Sequence, residues 1–318
     1  MKCAKLSGSA SLLLYLCGMK DYVAEMHLHT PAKVNLMLSV HGQRADGFHA
    51  LTSLVVSLAF GDELKVRLLD GAKSDRLNCN DANVPTGTDN LILKAARLFR
   101  VRLGRTVFFE FDLEKLIPMG AGLGGGSSNA SSALLAMNRL CGGPLSTFVL
   151  LELAAELGSD CPFFIDPQPS LISGRGEIIN AVDPELAKRL RGQSVVLFRP
   201  PFAINTAWAY AQLAAAAPAS YEAPELAAKR LESIMQSGTE LPSRLLYNSF
   251  EAVVGRKYLA LPSLLSSLRE LGVPCLMSGS GSCCFALLEQ AAIPTAQLQE
   301  LCYNALGEAA FWIETEIC

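Results

Sequence analysis

Apolar and polar residues alternate along the first part of the chain. Val34, Leu36, Leu38 and Val40 recur at every second position, the period of a half-buried strand, and Leu/Val-rich runs at 51–58 and 62–68 add more strand. Arg44-Ala-Asp-Gly between them is turn chemistry, so the N-terminal part is predicted to be β-rich. The period changes at 89–99, where apolar residues fall at helical spacing behind an Asx start, and returns to a strand at 107–113. An Ala/Leu-rich helical run follows Pro118-Met-Gly-Ala-Gly-Leu-Gly-Gly-Gly-Ser-Ser-Asn-Ala. A further helix, 146–157, stops at Gly158 and delivers Ser159-Asp160-Cys161-Pro162, where the proline enforces a turn. Then come a strand at 194–198, a stop at Arg199-Pro-Pro and an Ala-rich helix at 206–217. The Ala/Pro/Ser-rich stretch 218–243 reads as a surface excursion, and Met277-Ser-Gly-Ser-Gly-Ser-Cys-Cys-Phe-Ala-Leu as a glycine loop leading into a strand. The chain shows no internal repeat and no low-complexity tail.

Composition bounds this pattern. Of 318 residues, 50% are hydrophobic and 18% charged, which is enough apolar material for a buried core and predicts about two domains. Lys+Arg 27 against Asp+Glu 30 gives a net charge of −3, which argues against nucleic acid or an anionic membrane as partner. The ten cysteines are scattered without a C-x-x-C pair, and with four histidines they give no zinc-ligand spacing. They read as buried thiols in a reducing, cytoplasmic setting. Ser11-Leu-Leu-Leu-Tyr-Leu-Cys17 resembles the apolar core of a signal peptide, but it is short and lacks a cleavage pattern. Residues 1–26 therefore read as a dispensable leader, with Met19 and Met26 as alternative starts.

The glycine loop carries the strongest chemistry. Five glycines in the seven positions 120–126 bring bare backbone close to a ligand, and a following helix adds its positive N-terminal end, as anion binding requires. Gly120-x-Gly122-x-x-Gly125 formally satisfies a dinucleotide fingerprint, but the acid such a site needs downstream is missing, because no Asp or Glu occurs between positions 115 and 151. No Gly-Lys-Ser/Thr closes the loop as in a Walker A sequence. Asp160, at a helix-to-turn junction, is by residue type alone more often a cap. Lys33 lies inside an apolar strand, where burial is expensive unless the charge is paired. Should the two meet, each stabilises the other's charged form, and a carboxylate beside a hydroxyl and a γ-phosphate suits phosphoryl transfer. Phe48, His49 and Tyr210 read, as residues, as packing and turn chemistry.

Together these stretches resemble a known family. The glycine loop is similar to the phosphate loop of the GHMP kinases. Pro31-Ala-Lys-Val-Asn-Leu, Gly42-Gln-Arg-Ala-Asp-Gly-Phe-His and Gly158-Ser-Asp-Cys-Pro-Phe-Phe resemble the branch that phosphorylates 4-diphosphocytidyl-2-C-methyl-D-erythritol in non-mevalonate isoprenoid synthesis. Gly174-Arg-Gly-Glu and the 277–285 loop extend the likeness to about residues 30–290. The resemblance implies an α+β, two-domain kinase with its active site in the interdomain cleft, an ATP-binding N-terminal domain at 27–170 and a C-terminal domain at 171–318. It implies that Asp160 takes the proton from the 2-hydroxyl while that oxygen attacks the γ-phosphorus, and that Lys33 holds the aspartate and the hydroxyl in place. Asn35 and His49 would contact substrate, His49 at the cytosine edge. Phe48 stands where the family usually has a tyrosine stacked on the cytosine, and Tyr210 would cover its other face with Thr206 nearby. Asn90 and Lys115 match adenine-side contacts, and Pro118, Gly120, Gly122, Leu123, Gly124, Gly125, Gly126, Ser127 and Ser128 the triphosphate cradle. ATP is the implied donor and Mg²⁺ the expected ion; its ligands are not revealed by the sequence, because no Asp/Glu pair stands at a recognisable spacing, and the ATP phosphates with Ser128 are the groups at hand. Ser159 and Cys161 replace the family's usual alanine and valine, a small departure. A homoserine- or mevalonate-type kinase is disfavoured by the Gly42-Gln-Arg-Ala-Asp-Gly-Phe-His stretch, and a non-catalytic nucleotide-binding regulator by the intact Lys33 and Asp160.

Overall fold

The computed structural model describes residues 22–236 and 245–318. They form two compact units, each assembled from separated stretches of chain. One comprises 22–32, Gly61–Met119 and Gly124–Asp166, and the other Lys33–Phe60, Gly120–Leu123 and Pro167–Cys318.

The first unit takes the beginning of β1 (Tyr22–Gln43), the end of β2 (His49–Leu69), β3 (Arg76–Cys79), α1 (Leu91–Leu103), β4 (Phe108–Glu114), α2 (Gly125–Leu140) and α3 (Thr147–Leu157). β4 runs antiparallel to β2, with Leu69 opposite Phe108, and parallel to β3, with Arg76 opposite Glu110. The alternation of these strands turns Leu64, Val66, Phe109, Phe111 and Leu113 into one core with Ile92, Ala95 and Phe99 of α1 and Ala130, Leu134 and Met137 of α2. Phe109 meets Phe99 edge-on at 6.1 Å, and burying each such ring contributes about 1.5–3 kcal/mol. Local signals set the helix limits. Asn90 Oδ1 accepts the Ile92 N–H at 2.8 Å to cap α1, Gly104 ends it at φ 65°, and Ser146 caps α3.

β1 begins at Tyr22, inside the 1–26 stretch read from sequence as leader. Met26 is 3% exposed in the core, and Glu25 accepts from Arg67 Nε at 2.6 Å. The rest of that stretch, 1–21, lies outside the described residues.

In the second unit, β5 (Ser170–Gly174) pairs antiparallel with β2, Leu51 opposite Gly174, and with β6 (Ile178–Ala181), while β8 (Tyr247–Asn248) runs parallel to β1. α4 (Pro184–Leu190) precedes β7 (Ser194–Arg199), which lies in a second sheet of order β11-β7-β10-β9, with β9 at Cys275–Met277, β10 at Cys284–Leu287 and β11 at Phe311–Glu316. Val196, Phe198, Cys284 and Ala286 share a core with α5 (Thr206–Ala215), α7 (Phe250–Val254), α8 (Ala260–Glu270) and α9 (Thr295–Leu306) through Leu213, Phe250, Leu265 and Leu298.

Three expectations change. The stretch 218–243 holds a helix, α6 (Pro224–Gln236), preceded by buried Glu222, whose carboxylate accepts from Ser39 Oγ and from Arg230 at 2.8 Å. Its remaining residues, 237–243, lie outside the described residues. The runs at 51–58 and 62–68 are one strand, because Gly61 marks a close backbone approach: a Cβ there would stand 2.4 Å from Thr30 O. Cys161, Cys275, Cys283, Cys284 and Cys302 are buried free thiols as expected, but Cys318 is exposed and Cys79 and Cys141 partly so, while Cys3 and Cys17 lie outside the described residues. No described helix is long and apolar enough to cross a membrane.

Candidate active site

The glycine loop is built by backbone necessity. Gly120, Gly122 and Gly124 have φ of 61°, 78° and 72°, a left-handed region that penalises any Cβ. Gly122 is further constrained, because a Cβ would stand 2.2 Å from the carbonyl oxygen of Ser278. The stretch Gly120–Leu123 is stitched to the 277–283 loop: Ala121 O accepts from Cys283 N at 3.0 Å and Gly122 O from Ser278 Oγ at 3.1 Å. Asn248 Nδ2 donates to Met277 O and Gly279 O at 2.6 and 2.8 Å and holds that second loop. The two glycine-rich landmarks of the sequence thus lie against each other.

α2 starts at Gly125 with no side-chain cap, so its first-turn N–H groups keep the partial positive charge that receives phosphate. Ser128, at the end of that turn, is fully buried, and its Oγ has no hydrogen-bond partner among the described residues. A buried hydroxyl without a partner is costly, and a ligand oxygen or a hard cation satisfies it. Among the described residues no three His, Cys, Asp or Glu side chains gather to hold a metal. Mg²⁺ fits such a setting when phosphates supply most of its ligands, with Ser128 the protein oxygen at hand.

Lys33 lies in β1 with 5% exposure, and its Nζ donates to Asn35 Oδ1 at 2.8 Å. Asn35 Nδ2 donates to Ser53 Oγ at 2.8 Å, and that hydroxyl donates to Met37 O at 2.6 Å. Asn35 thus holds the lysine ammonium, and a Cβ on Gly279 would lie 3.6 Å from it.

Asp160 is exposed on the turn between α3 and a buried 3-10 turn, Pro162–Ile165, whose Phe163 and Phe164 rings pack edge-on at 5.1 Å. Ser131 Oγ of α2 donates to Cys161 O at 2.7 Å, and Ser127 hydrogen-bonds the Cys161 thiol, so the aspartate's backbone is fixed to the helix that follows the glycine loop. Burial pushes the Cys161 thiol up to about 11, which leaves it neutral and unreactive.

The aromatic residues gather around His49. Its ring lies 4.9 Å from that of Tyr210 and 5.9 Å from that of Tyr221, whose hydroxyl is 3.2 Å from Nε2. Burial lowers the pKa of His49. Phe48 is 49% exposed at the β1–β2 turn, with the Arg175 guanidinium 4.8 Å over its ring. Thr206 Oγ1 is 2.8 Å from Ser280 Oγ, which joins the start of α5 to the second glycine loop.

Two adenine-side candidates have their polar ends engaged elsewhere. Asn90 caps α1 and donates to Pro85 O at 2.7 Å. Lys115 Nζ lies 2.5 Å from the Asp62 carboxylate, and a Cβ on Gly125 would come within 2.8 Å of that ammonium. Asp62, fully buried, also accepts from the backbone N–H of Leu116 and Ile117 at 2.7 Å and from Asn129 Nδ2 at 2.8 Å. Sequence reasoning missed Asp62, Asn129 and Tyr221. A charged residue between two apolar strand runs was a readable signal for Asp62; Tyr221 had none.

Residues 90–166 match the GHMP kinases N terminal domain and 223–305 the GHMP kinases C terminal family. The chain is 38% identical over 269 residues to 4-diphosphocytidyl-2-C-methyl-D-erythritol kinase of Methylacidiphilum infernorum, covering 82% of this chain and 85% of the relative. A crystal structure of 4-(cytidine 5'-diphospho)-2C-methyl-D-erythritol kinase superposes with a TM-score of 0.72 at 31% identity, covering 92% of this chain and 99% of that one. Homoserine kinase from Cytophaga hutchinsonii shares the fold, with a TM-score of 0.68 at 18% identity over 96% of this chain and 98% of that one.

Proposed function

We propose a division of labour for a chain that belongs to the 4-diphosphocytidyl-2-C-methyl-D-erythritol kinase family of GHMP kinases. The protein transfers the γ-phosphate of ATP to the 2-hydroxyl of 4-diphosphocytidyl-2-C-methyl-D-erythritol, a small-molecule acceptor of the non-mevalonate isoprenoid route. The single observation that carries the donor side is the uncapped start of α2, with left-handed glycines before it and the unpartnered, buried Ser128 Oγ inside it.

In the reaction, the acceptor's 2-oxygen forms a bond to the γ-phosphorus while the bond from that phosphorus to the β,γ-bridging oxygen breaks and ADP leaves. The hydroxyl proton passes to the Asp160 carboxylate. Lys33, held by Asn35, supplies positive charge to the reacting hydroxyl, and the first-turn N–H groups of α2 stabilise the phosphate oxygens. Ser128 would hold a bound Mg²⁺ together with the phosphates, and the ion would neutralise phosphate charge. Phe48, His49 and Tyr210 take the cytosine, and Thr206 borders it. Asn90 and Lys115 line the adenine side through their aliphatic and backbone atoms. The buried free thiols support a reducing, cytoplasmic setting.

Asp160→Asn tests the base. Proton transfer by a positioned group is worth about 10²–10⁴-fold, so turnover should fall by at least that order while thermal stability holds, because Asp160 is exposed. Turnover at the wild-type rate would overturn the assignment.

A further inference from the structure

We infer that Tyr221 is a positioning residue for pyrimidine recognition: its phenol donates to His49 Nε2 and holds the imidazole in the tautomer that carries its proton on Nδ1. The inference rests on the reading that His49 contacts the acceptor's base.

Tyr221 is itself held firmly. The next residue, Glu222, is 7% exposed, its N–H donates to Val40 O at 2.9 Å, and its carboxylate accepts from Ser39 and Arg230. The Glu222 carbonyl lies 2.8 Å from His41 Nδ1, whose Nε2 lies 2.8 Å from Thr52 Oγ1. This network ties the chain after α5 to β1 and β2, and it presents the Tyr221 hydroxyl 3.2 Å from His49 Nε2. On the same imidazole, Tyr210 stands 4.9 Å away at an interplanar angle of 35°, and Phe250 supports Tyr210 edge-on at 4.9 Å. The ring is therefore fixed in position, and its remaining freedom is the site of the proton.

A phenol is a good donor and a weak acceptor, since its oxygen lone pair is partly delocalised into the ring, whereas a neutral imidazole nitrogen is a strong acceptor. Burial around His49 favours the neutral ring. The stronger pairing is thus O–H to Nε2, which leaves Nδ1–H as a donor. Cytosine offers unprotonated N3 and O2 as acceptors, whereas uracil carries a proton on N3. An Nδ1–H donor matches the cytosine edge and meets uracil N3–H donor to donor, so Tyr221 contributes to discrimination between the two pyrimidines without touching either.

Tyr221→Phe removes the oxygen and keeps the ring. The ¹⁵N shifts of the His49 ring should move from the Nδ1–H pattern toward a mixed one. The specificity constant for the cytidine acceptor should fall about three- to tenfold, the range of one net hydrogen bond, with the KM for ATP unchanged. In a His49→Ala background the same substitution should add nothing, because Tyr221 acts through His49. An unchanged ¹⁵N pattern in Tyr221→Phe overturns the inference. A His49→Ala variant with wild-type acceptor kinetics would instead overturn the reading that His49 contacts the base.

Discussion

Asp62→Asn is the most demanding test of how the donor side is held. The carboxylate is fully buried, with Leu116 and Ile117 N–H on Oδ1 and Lys115 Nζ and Asn129 Nδ2 on Oδ2. Asparagine can keep one oxygen on the two backbone donors. Its amide then faces the Lys115 ammonium and the Asn129 amide, donor against donor. The Lys115 side chain is 7% exposed, so the ammonium is left buried without its countercharge. Breaking one side of a buried pair costs about 3–5 kcal/mol, a large part of the ~5–15 kcal/mol that holds a folded protein. Adding Lys115→Met to Asp62→Asn should restore much of the loss, because it removes the buried ammonium while the asparagine oxygen keeps the Leu116 and Ile117 N–H groups. Denaturant unfolding followed by far-UV circular dichroism suits the measurement, since Trp208 and Trp312 both belong to the other unit and fluorescence would miss this one. A loss below about 1 kcal/mol in Asp62→Asn would refute the reasoning, because the buried ammonium would then need no partner.

Three further outcomes follow from the same geometry. Gly122→Ala places a Cβ 2.2 Å from Ser278 O at φ 78°; strain of this kind costs about 1–3 kcal/mol before the clash is counted, so calorimetry should show a lower Tm and kinetics a raised KM for ATP. Met26→Ala, at a site 3% exposed, should cost about 2–5 kcal/mol in denaturant unfolding, against none for a residue of a dispensable leader. Burial lowers the folded pKa of His49, so its contribution to stability is complete above the unfolded value near 6.5 and is lost as pH falls through the folded one. An NMR titration midpoint for His49 below 6.5, and a wild type that loses stability relative to His49→Gln on acidification, are the expected results.

The sequence was most readable where local rules decide. The Asx start announced α1, because a capping side chain such as that of Asn90 lies within three residues of the N–H it satisfies, and Ser146 caps α3 in the same way. α1 extends to Leu103, past the expected 99, because Leu103, one turn after Phe99, packs against the same core, Arg100 reaches Asp75 and Val107 O, and the helix ends only at Gly104. Gly61-Asp62 looked like a break in the strand. It is a close approach to Thr30 and a buried carboxylate serving residues more than 50 positions away, which no window of the sequence contains. Glu222 looked like part of a polar excursion for the same reason, since Ser39 lies 183 positions away. At the site, the glycine loop was legible from composition and its requirement at Gly122 was not, because the oxygen it avoids belongs to Ser278. The hydrogen bonds of Asn35 to Lys33 and Ser53 were not legible either, because Ser53 lies 18 positions away on another strand.

The central claim, transfer of the γ-phosphate to one hydroxyl of one cytidine-bearing alcohol, is tested most directly by a single incubation. The purified protein is mixed with MgATP and, in parallel, with 4-diphosphocytidyl-2-C-methyl-D-erythritol, homoserine or mevalonate, and ADP and ³¹P resonances are followed. The account predicts one ADP and one new phosphomonoester on the 2-oxygen per cytidine acceptor, and no acceptor-dependent ADP from the others. ADP release driven by homoserine or mevalonate, with the cytidine compound inert, would contradict it.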